Sequence, residues 1–333
     1  MWMIWVINIH GMLAELVEGT PLLREHRCKT LIIGSNPIHS AKKCRKGIMF
    51  DCCMVNHEMD LLEIRFNTLD CVVEKFVVVE SNTTHSGKPK RMWFTENRDR
   101  FKKWDDKIIH LVYTGYLIED PDKHTEIVWY NENEQRNTVL KALDIAQPSD
   151  WLMYISDVDE IPKPEKLLEA KKLHVTTGMP VNFALEQCMY FLNYNFKDHV
   201  PIRGSFLYDP RTAAKVHLEK FGQPADSPSA LRWHMVALGY ENDFPNVNDA
   251  GWHFSTLGNI DDIRYKLESN AHRFCDNEEF KNETRITSMI HNGEHVYDME
   301  HYVGTRLVAR EVEFLPLYVQ ANLEKYSKYI IQL

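Results

Sequence analysis

Two aspartates spaced by one residue, Asp157 and Asp159, close the apolar run Trp151-Leu-Met-Tyr-Ile-Ser-Asp-Val-Asp-Glu-Ile-Pro162. The run reads as a buried strand that Pro162 brings to an end. Side chains two apart on a strand share a face, so the two carboxylates are expected to point the same way. Held side by side they repel unless a cation lies between them, and hard oxygen donors of this kind suit Mg²⁺ or Mn²⁺. An ion at the carboxyl end of a central strand is placed to grip a phosphate. Asp-x-Asp also occurs as a solvated Asx turn. The buried strand before it, the three acids within four residues and the terminating proline favour the metal–phosphate reading.

Such a pair needs a sheet to hold it, and the preceding sequence supplies one. Met49–Val55 is a strand candidate ending at Asn56-His57-Glu58. Glu58–Leu69 follows with Met59, Leu62, Phe66 and Leu69 at helical spacing. Val72–Val79 and Ile108–Val112 are β-branched strand candidates, the first ending at Glu80-Ser81-Asn82. Asn131–Ala146 is a predicted helix, with Val139, Leu140, Leu143 and Ala146 on one face. Strands alternating with helices predict an α/β, Rossmann-like fold: a mostly parallel central sheet with helices on both faces. Ligands of such sheets lie at the carboxyl ends of the strands, where both Glu80-Ser81-Asn82 and Asp157-Val158-Asp159 fall. Further on, Asn182–Leu192 and Arg203–Tyr208 read as strands, Ala250–Ser255 as a short aromatic and polar segment, and Ile260–Phe274 as a helix carrying Ile263, Leu267 and Ala271.

Composition narrows the function. The chain has 333 residues, 44% apolar and 26% charged, with a net charge of −9. An acidic balance argues against a nucleic-acid surface, and the run Lys42-Lys43-Cys44-Arg45-Lys46 is too short to supply one. The seven cysteines include no CxxC pair, so neither a zinc knuckle nor a disulfide framework is implied, and a reducing compartment is the simplest inference. Neither GxGxxG nor GxxxxGK[ST] occurs, which disfavours a dinucleotide oxidoreductase and a P-loop NTPase. Phosphates are therefore expected to be held by metal and side chains. Met1–Ile9 is apolar but is interrupted by Asn8 and His10, too early to span a bilayer, and has no basic residues ahead of it. No membrane span is expected, and the location is read as cytoplasmic or otherwise soluble.

Several segments in order now carry a resemblance. These are Asn56-His57-Glu58-Met59-Asp60-Leu61-Leu62-Glu63-Ile64-Arg65-Phe66, Phe76–Asn82, Gly87-Lys88-Pro89-Lys90, the trio Trp129, Glu132 and Arg136, Ser156–Pro162, and Ala250-Gly251-Trp252-His253-Phe254-Ser255. Over roughly residues 49 to 300 the chain resembles the family 17 glycosyltransferases. The resemblance implies an A-type glycosyltransferase fold in one catalytic domain, residues 48–333, with 48–162 as the nucleotide-sugar half and 163–333 as the acceptor half. Residues 1–47 form an N-terminal extension. It further implies inverting transfer of N-acetylglucosamine from UDP-N-acetylglucosamine to a mannose-containing or other glycan acceptor, with a divalent cation, Mn²⁺ before Mg²⁺. Residues 165–248 match only loosely, and they are the part that should shape the acceptor pocket.

Roles follow residue by residue. The resemblance makes Asp157 and Asp159 the pair that holds the cation bridging the donor's diphosphate, with His253 as a further ligand or a diphosphate contact. Glu160 is either a support for a metal-bound water or a solvated acid. Glu80, Ser81 and Asn82 stand where base and ribose belong, or form a plain turn. Arg136 is either a bidentate diphosphate contact or the i, i+4 partner of Glu132, and Lys90 is a phosphate contact or a solvated lysine. Trp252 either stacks on a sugar or fills core. His272 has no assigned role. An inverting transferase needs a carboxylate base, for which Asp249 is the first choice, by proximity to His253, and Glu186 the second. Two other readings stand: a haloacid-dehalogenase-type phosphatase with Asp157 as nucleophile, and a glycan-binding module without catalysis.

Overall fold

The structure is a computed structural model that describes residues 48–146, 151–196, 201–222, 227–236, 243–297 and 304–332. The expected extension, residues 1–47, lies outside the described residues.

Four parallel strands form the half of the sheet that carries the acids. β1 (Ile48–Val55) pairs in parallel with β2 (Lys75–Ser81) on one side and β4 (Trp151–Asp157) on the other, and β2 pairs in parallel with β3 (Ile108–Tyr113). These strands are near-continuous apolar runs because both faces are covered. Met49, Cys53, Val55, Phe76, Val78, Leu152 and Tyr154 pack on one side, against helix α1 (Met59–Leu69) and the turns of Trp93–Glu96 (α2) and Arg98–Trp104. Phe50, Cys52, Val77, Val79, Met153 and Ile155 pack on the other. That second side is roofed by α3 (Thr125–Asn137), α4 (Ala142–Ala146) and, further along, α7 (Pro228–Val236).

Beyond β4 the sheet becomes antiparallel. β8 (Ile202–Tyr208) lies against β4, then come β6 (Val181–Met189), β7 (Tyr194–Phe196) and β11 (Leu307–Ala309). Helix α5 (Pro164–Thr177) leads into β6, and α6 (Pro210–Phe221) follows β8. A second short ladder matters more for the site. After the two aspartates the chain returns as β5 (Glu160–Pro162), antiparallel to β10 (Gly251–Ser255), and β10 also runs parallel to β6. At Gly251, φ is +149° and a Cβ would stand 2.2 Å from the Ile161 carbonyl oxygen, so no side chain fits where β10 meets β5.

Two helices differ in extent from the sequence reading. The helix expected over 131–146 begins earlier, at Thr125, and breaks into a 3₁₀ turn at Thr138–Lys141 before α4. The helix expected over 260–274 is α8 (Ile260–Ser269); its end at Asn270, in extended conformation, precedes a separate turn at Arg273–Cys275. Its start carries a capping box, with the Asn259 side chain accepting from Asp261 and Asp262 N–H while Asp262 accepts from Asn259 N–H. The C-terminal tail packs back on α1: Tyr318 and Lys325 donate to Glu63, Tyr329 donates to Asp60, and Lys328 pairs with Asp60. Among the described residues no helix is long and apolar enough to cross a membrane.

Candidate functional site

A cavity of about 420 Å³ opens at the carboxyl ends of β1, β2 and β4. Asp157, Asp159, Arg136, Lys90 and His253 all line it. Alternation along the strands explains much of this convergence. In β4, Trp151, Met153 and Ile155 face the α3 side, so Asp157 faces it too and meets helix α3. On α3, Glu132, Gln135 and Arg136 recur at i, i+3 and i+4 and present one face to the cavity. In β10, His253 and Ser255 face the cavity while Trp252 and Phe254 enter an apolar cluster with Ile161, Leu315 and Val319.

The expectation that Asp157 and Asp159 share a strand face needs correcting. β4 ends at Asp157, and Val158-Asp159 forms a turn, so the period of two no longer applies. The acids still share the cavity but have different partners. Asp157 Oδ1 accepts from Arg136 Nη2 at 3.0 Å, and Oδ2 accepts from Arg232 Nη2 at 3.1 Å. Asp159 Oδ2 accepts from Lys266 Nζ at 2.7 Å, with His253 Nε2 at 3.7 Å from Oδ1. Burial pushes the Asp157 carboxyl up, but the Arg232 and Arg136 guanidinium groups outweigh it and hold it at about 2. Burial also opposes ionisation of Asp159, and there the Lys266 ammonium and His253 win, so that carboxyl lies far below the usual range. The imidazole of His253 shows the reciprocal effect: burial lowers its pKa, the Asp159 carboxylate raises it, and the net direction is up.

Beneath the acids sits Arg65, fully buried on α1. Its Nε and Nη2 donate to the two carboxylate oxygens of buried Asp51 at 2.8 and 2.5 Å, and Nη2 also donates to Ser156 Oγ at 2.6 Å. Nη1 donates to the carbonyl oxygens of Asp157 and Glu160, both at 2.9 Å, with Val158 O at 3.4 Å. One guanidinium thus satisfies the inward-facing backbone of the whole acidic turn, a task its planar fork suits and an ammonium does not.

The remaining expected residues are placed as follows. Glu80 does not line the cavity. It is fully buried, and its carboxylate accepts the Phe94 and Thr95 N–H groups and the Thr95 hydroxyl at 2.6, 3.2 and 2.8 Å, closing the start of α2. Ser81 Oγ accepts from Thr83 N–H, and Asn82 Oδ1 accepts from Gly115 N–H; both shape a loop whose next residues, Thr83, Thr84 and His85, do reach the cavity. Glu160 accepts the Asp157 N–H at 2.9 Å and pairs with Arg232 at 3.3 Å, supporting the acid from behind. Trp252 donates its indole N–H to Phe314 O at 2.8 Å and serves as core. Asp249 is exposed, pairs with Lys163 at 2.5 Å and lies at the far end of β10, so its nearness to His253 in sequence does not bring it to the cavity. Glu186 points to the face of β6 opposite cavity-lining Gln187 and accepts from Asn195 Nδ2. Arg136 makes the expected i, i+4 ion pair with Glu132 at 3.1 Å, and a second ion pair, at 3.0 Å, with Asp157. Among the described residues Lys90 Nζ is buried without a hydrogen-bond partner, and burial lowers its pKa against the pull of Glu58 and Glu80. Arg232 and Lys266 were not anticipated; each looks like an ordinary surface cation of an amphipathic helix.

The family model described as glycosyltransferase family 17 matches residues 33–218, more than half of the chain. The chain belongs to glycosyltransferase family 17. Among family relatives, the β-1,4-mannosyl-glycoprotein 4-β-N-acetylglucosaminyltransferase of Rattus norvegicus is 25% identical over 256 residues, 72% of this chain and 46% of that protein. The enzyme of the same name from Homo sapiens is 31% identical over 142 residues, 41% of this chain and 26% of that one. The family 17 chain thus spans less than half the length of the curated relatives it matches. Solved structures with some similarity include 4-diphosphocytidyl-2C-methyl-D-erythritol synthase from Anaerococcus prevotii (TM-score 0.33, 12% identity, 68% of this chain and 98% of that one). Another is M. tuberculosis glucosyl-3-phosphoglycerate synthase (TM-score 0.32, 14% identity, 65% and 75%). At such scores the fold assignment rests on the strand order itself.

Proposed function

We propose that this family 17 protein transfers N-acetylglucosamine from UDP-N-acetylglucosamine to a glycan hydroxyl, with inversion and with a divalent cation, Mn²⁺ before Mg²⁺. The observation that carries the reading is the pair Asp157 and Asp159 at the carboxyl end of a parallel strand, inside a cavity ringed by Arg136, Arg232, Lys266 and Lys90. The sugar is the one that the related N-acetylglucosaminyltransferases are named for. Membership of a glycosyltransferase family sets aside the haloacid-dehalogenase-type phosphatase.

The donor set fits a hard divalent ion. Asp157, Asp159 and His253 line one cavity, and among the described residues His253 Nδ1 is buried without a hydrogen-bond partner while Nε2 faces Asp159. Among the described residues no three acid, histidine or cysteine side chains form a ready-made cage. An Mg²⁺-like ion typically takes one or two carboxylates and completes its shell with substrate phosphate and water. Charge argues the same way: Lys90, Arg136, Arg232 and Lys266 are balanced by Glu58, Glu132, Asp157 and Asp159, four against four. A cavity whose fixed charges cancel needs added positive charge to hold a diphosphate. When bound, the ion supplies that charge and offsets what develops on the departing nucleotide. Asp157 and Asp159 would hold it, with His253 beside them. Arg136, Arg232 and Lys90 orient the phosphates, and the Arg65 clamp keeps the acidic turn in place.

The test is UDP release from a panel of nucleotide sugars with a glycan acceptor, in Mn²⁺ and in chelator. Release from UDP-N-acetylglucosamine that chelator stops is the expected result. Glycan binding with no nucleotide release from any donor would favour the non-catalytic module, and turnover indifferent to chelator would remove the metal.

A further inference from the structure

Inverting transfer needs a carboxylate that removes the acceptor's hydroxyl proton, and the two acids first considered, Asp249 and Glu186, stand away from the cavity. Four carboxylates do line it. Three are already committed to cations: Glu132 to Arg136, Asp157 to Arg136 and Arg232, and Asp159 to Lys266. A carboxylate locked against a guanidinium or ammonium is a poor proton acceptor, because the ion pair favours its unprotonated form. Glu58 is different. Among the described residues it has no ion-pair partner, and its Oε2 accepts the Asn56 backbone N–H at 3.0 Å, leaving Oε1 its full accepting capacity.

Glu58 is also held firmly. It follows the carboxyl end of β1, the strand that pairs with β4 at Met54 and Asp157. Helix α8 braces its turn: Tyr265 donates its hydroxyl to Asn56 Oδ1 at 3.1 Å, Asn56 Nδ2 donates to Ser269 Oγ at 3.4 Å, and the His57 ring meets Tyr265 edge-on at 4.7 Å. A base must be placed before its substrate arrives, and this bracing provides that.

We infer that Glu58 is the general base of the transfer reaction. The inference rests on the glycosyltransferase reading above. As the acceptor oxygen bonds to the donor's anomeric carbon, its proton passes to Glu58 Oε1. The anomeric carbon–oxygen bond to phosphate breaks, and its electron pair leaves with the nucleoside diphosphate. Attack on the face opposite the leaving group gives inversion.

The test compares the wild type with Glu58→Gln, which keeps the shape and the acceptor for Asn56 N–H, and with Glu58→Ala. Expected for Glu58→Gln are a fall in kcat of about 10²–10⁴-fold, UDP affinity in Mn²⁺ within about twofold of wild type and an unchanged melting temperature. Added azide or formate restores part of the turnover of Glu58→Ala. Glu58→Gln with kcat within about fivefold of wild type overturns the inference while leaving the transferase reading intact. So does a loss confined to donor KM and UDP affinity, which would make Glu58 a nucleotide contact. A wild-type protein that releases no UDP from any donor sinks the transferase reading, and this inference with it.

Discussion

Replacing Arg65 by Met removes the guanidinium that holds the acidic turn from beneath. The guanidinium makes two hydrogen bonds to Asp51, one to Ser156 and two of 2.9 Å to the carbonyls of Asp157 and Glu160. With Asp51 only 1% exposed, the variant leaves a buried carboxylate uncompensated, a loss of about 3–5 kcal/mol. The turn carbonyls add to this non-additively, since each buried unsatisfied acceptor costs about 1–3 kcal/mol on its own. Urea unfolding should therefore show at least about 3 kcal/mol of lost stability. The double variant Asp51→Leu/Arg65→Met separates folding from function. Removing both charges should return most of the stability, yet the Asp157 carbonyl stays unclamped and Glu160 O keeps only the longer contacts from Tyr154 and Ser156, so UDP release should remain at least about tenfold below wild type. A single variant that loses under about 1 kcal/mol, or a double variant with full turnover, refutes the reasoning.

Two further outcomes follow from the same geometry. Asp249→Asn should leave turnover within about twofold and stability within about 0.5 kcal/mol of wild type, because the residue is exposed and paired with Lys163 away from the cavity; a tenfold fall in kcat would return Asp249 to the reaction. In metal-free protein, Asp157 and Asp159 are more acidic folded than unfolded. The stability they contribute is thus present above their ordinary pKa near 3.9 and lost as pH falls through the folded values. Thermal denaturation across pH 5 to about 2 should show this decline, and Asp157→Asn should flatten it; equal slopes would contradict the pairing with Arg136 and Arg232.

The parallel half of the sheet was legible because both its faces are covered, which turns β1, β2 and β4 into near-continuous apolar runs. The acidic turn was legible for the same reason: polar residues that abruptly end such a run need a partner, whether ligand, solvent or buried backbone. What a strand end does not reveal is which of its polar side chains turns inward. Glu80 and Asp157 both terminate parallel strands, yet one closes the backbone of α2 and the other lines the cavity. Adjacent residues in β10 part in the same way, Trp252 to core and His253 to the cavity. Arg232 and Lys266 could not be picked out, since a cation on a helix looks solvated until a distant acid is folded against it. Their partners lie 75 and 107 residues away.

The ion pairs inside the cavity bear on what would follow the proposed transfer. A nucleoside diphosphate freshly released from its sugar carries more negative charge than the donor did, and a ring of unattended cations would retain it. Here Arg136, Arg232 and Lys266 each have a resident carboxylate to fall back on. In the proposed reaction, departure of the product exchanges one set of salt links for another rather than stranding three bare charges, and the protein is spared a trap of its own making.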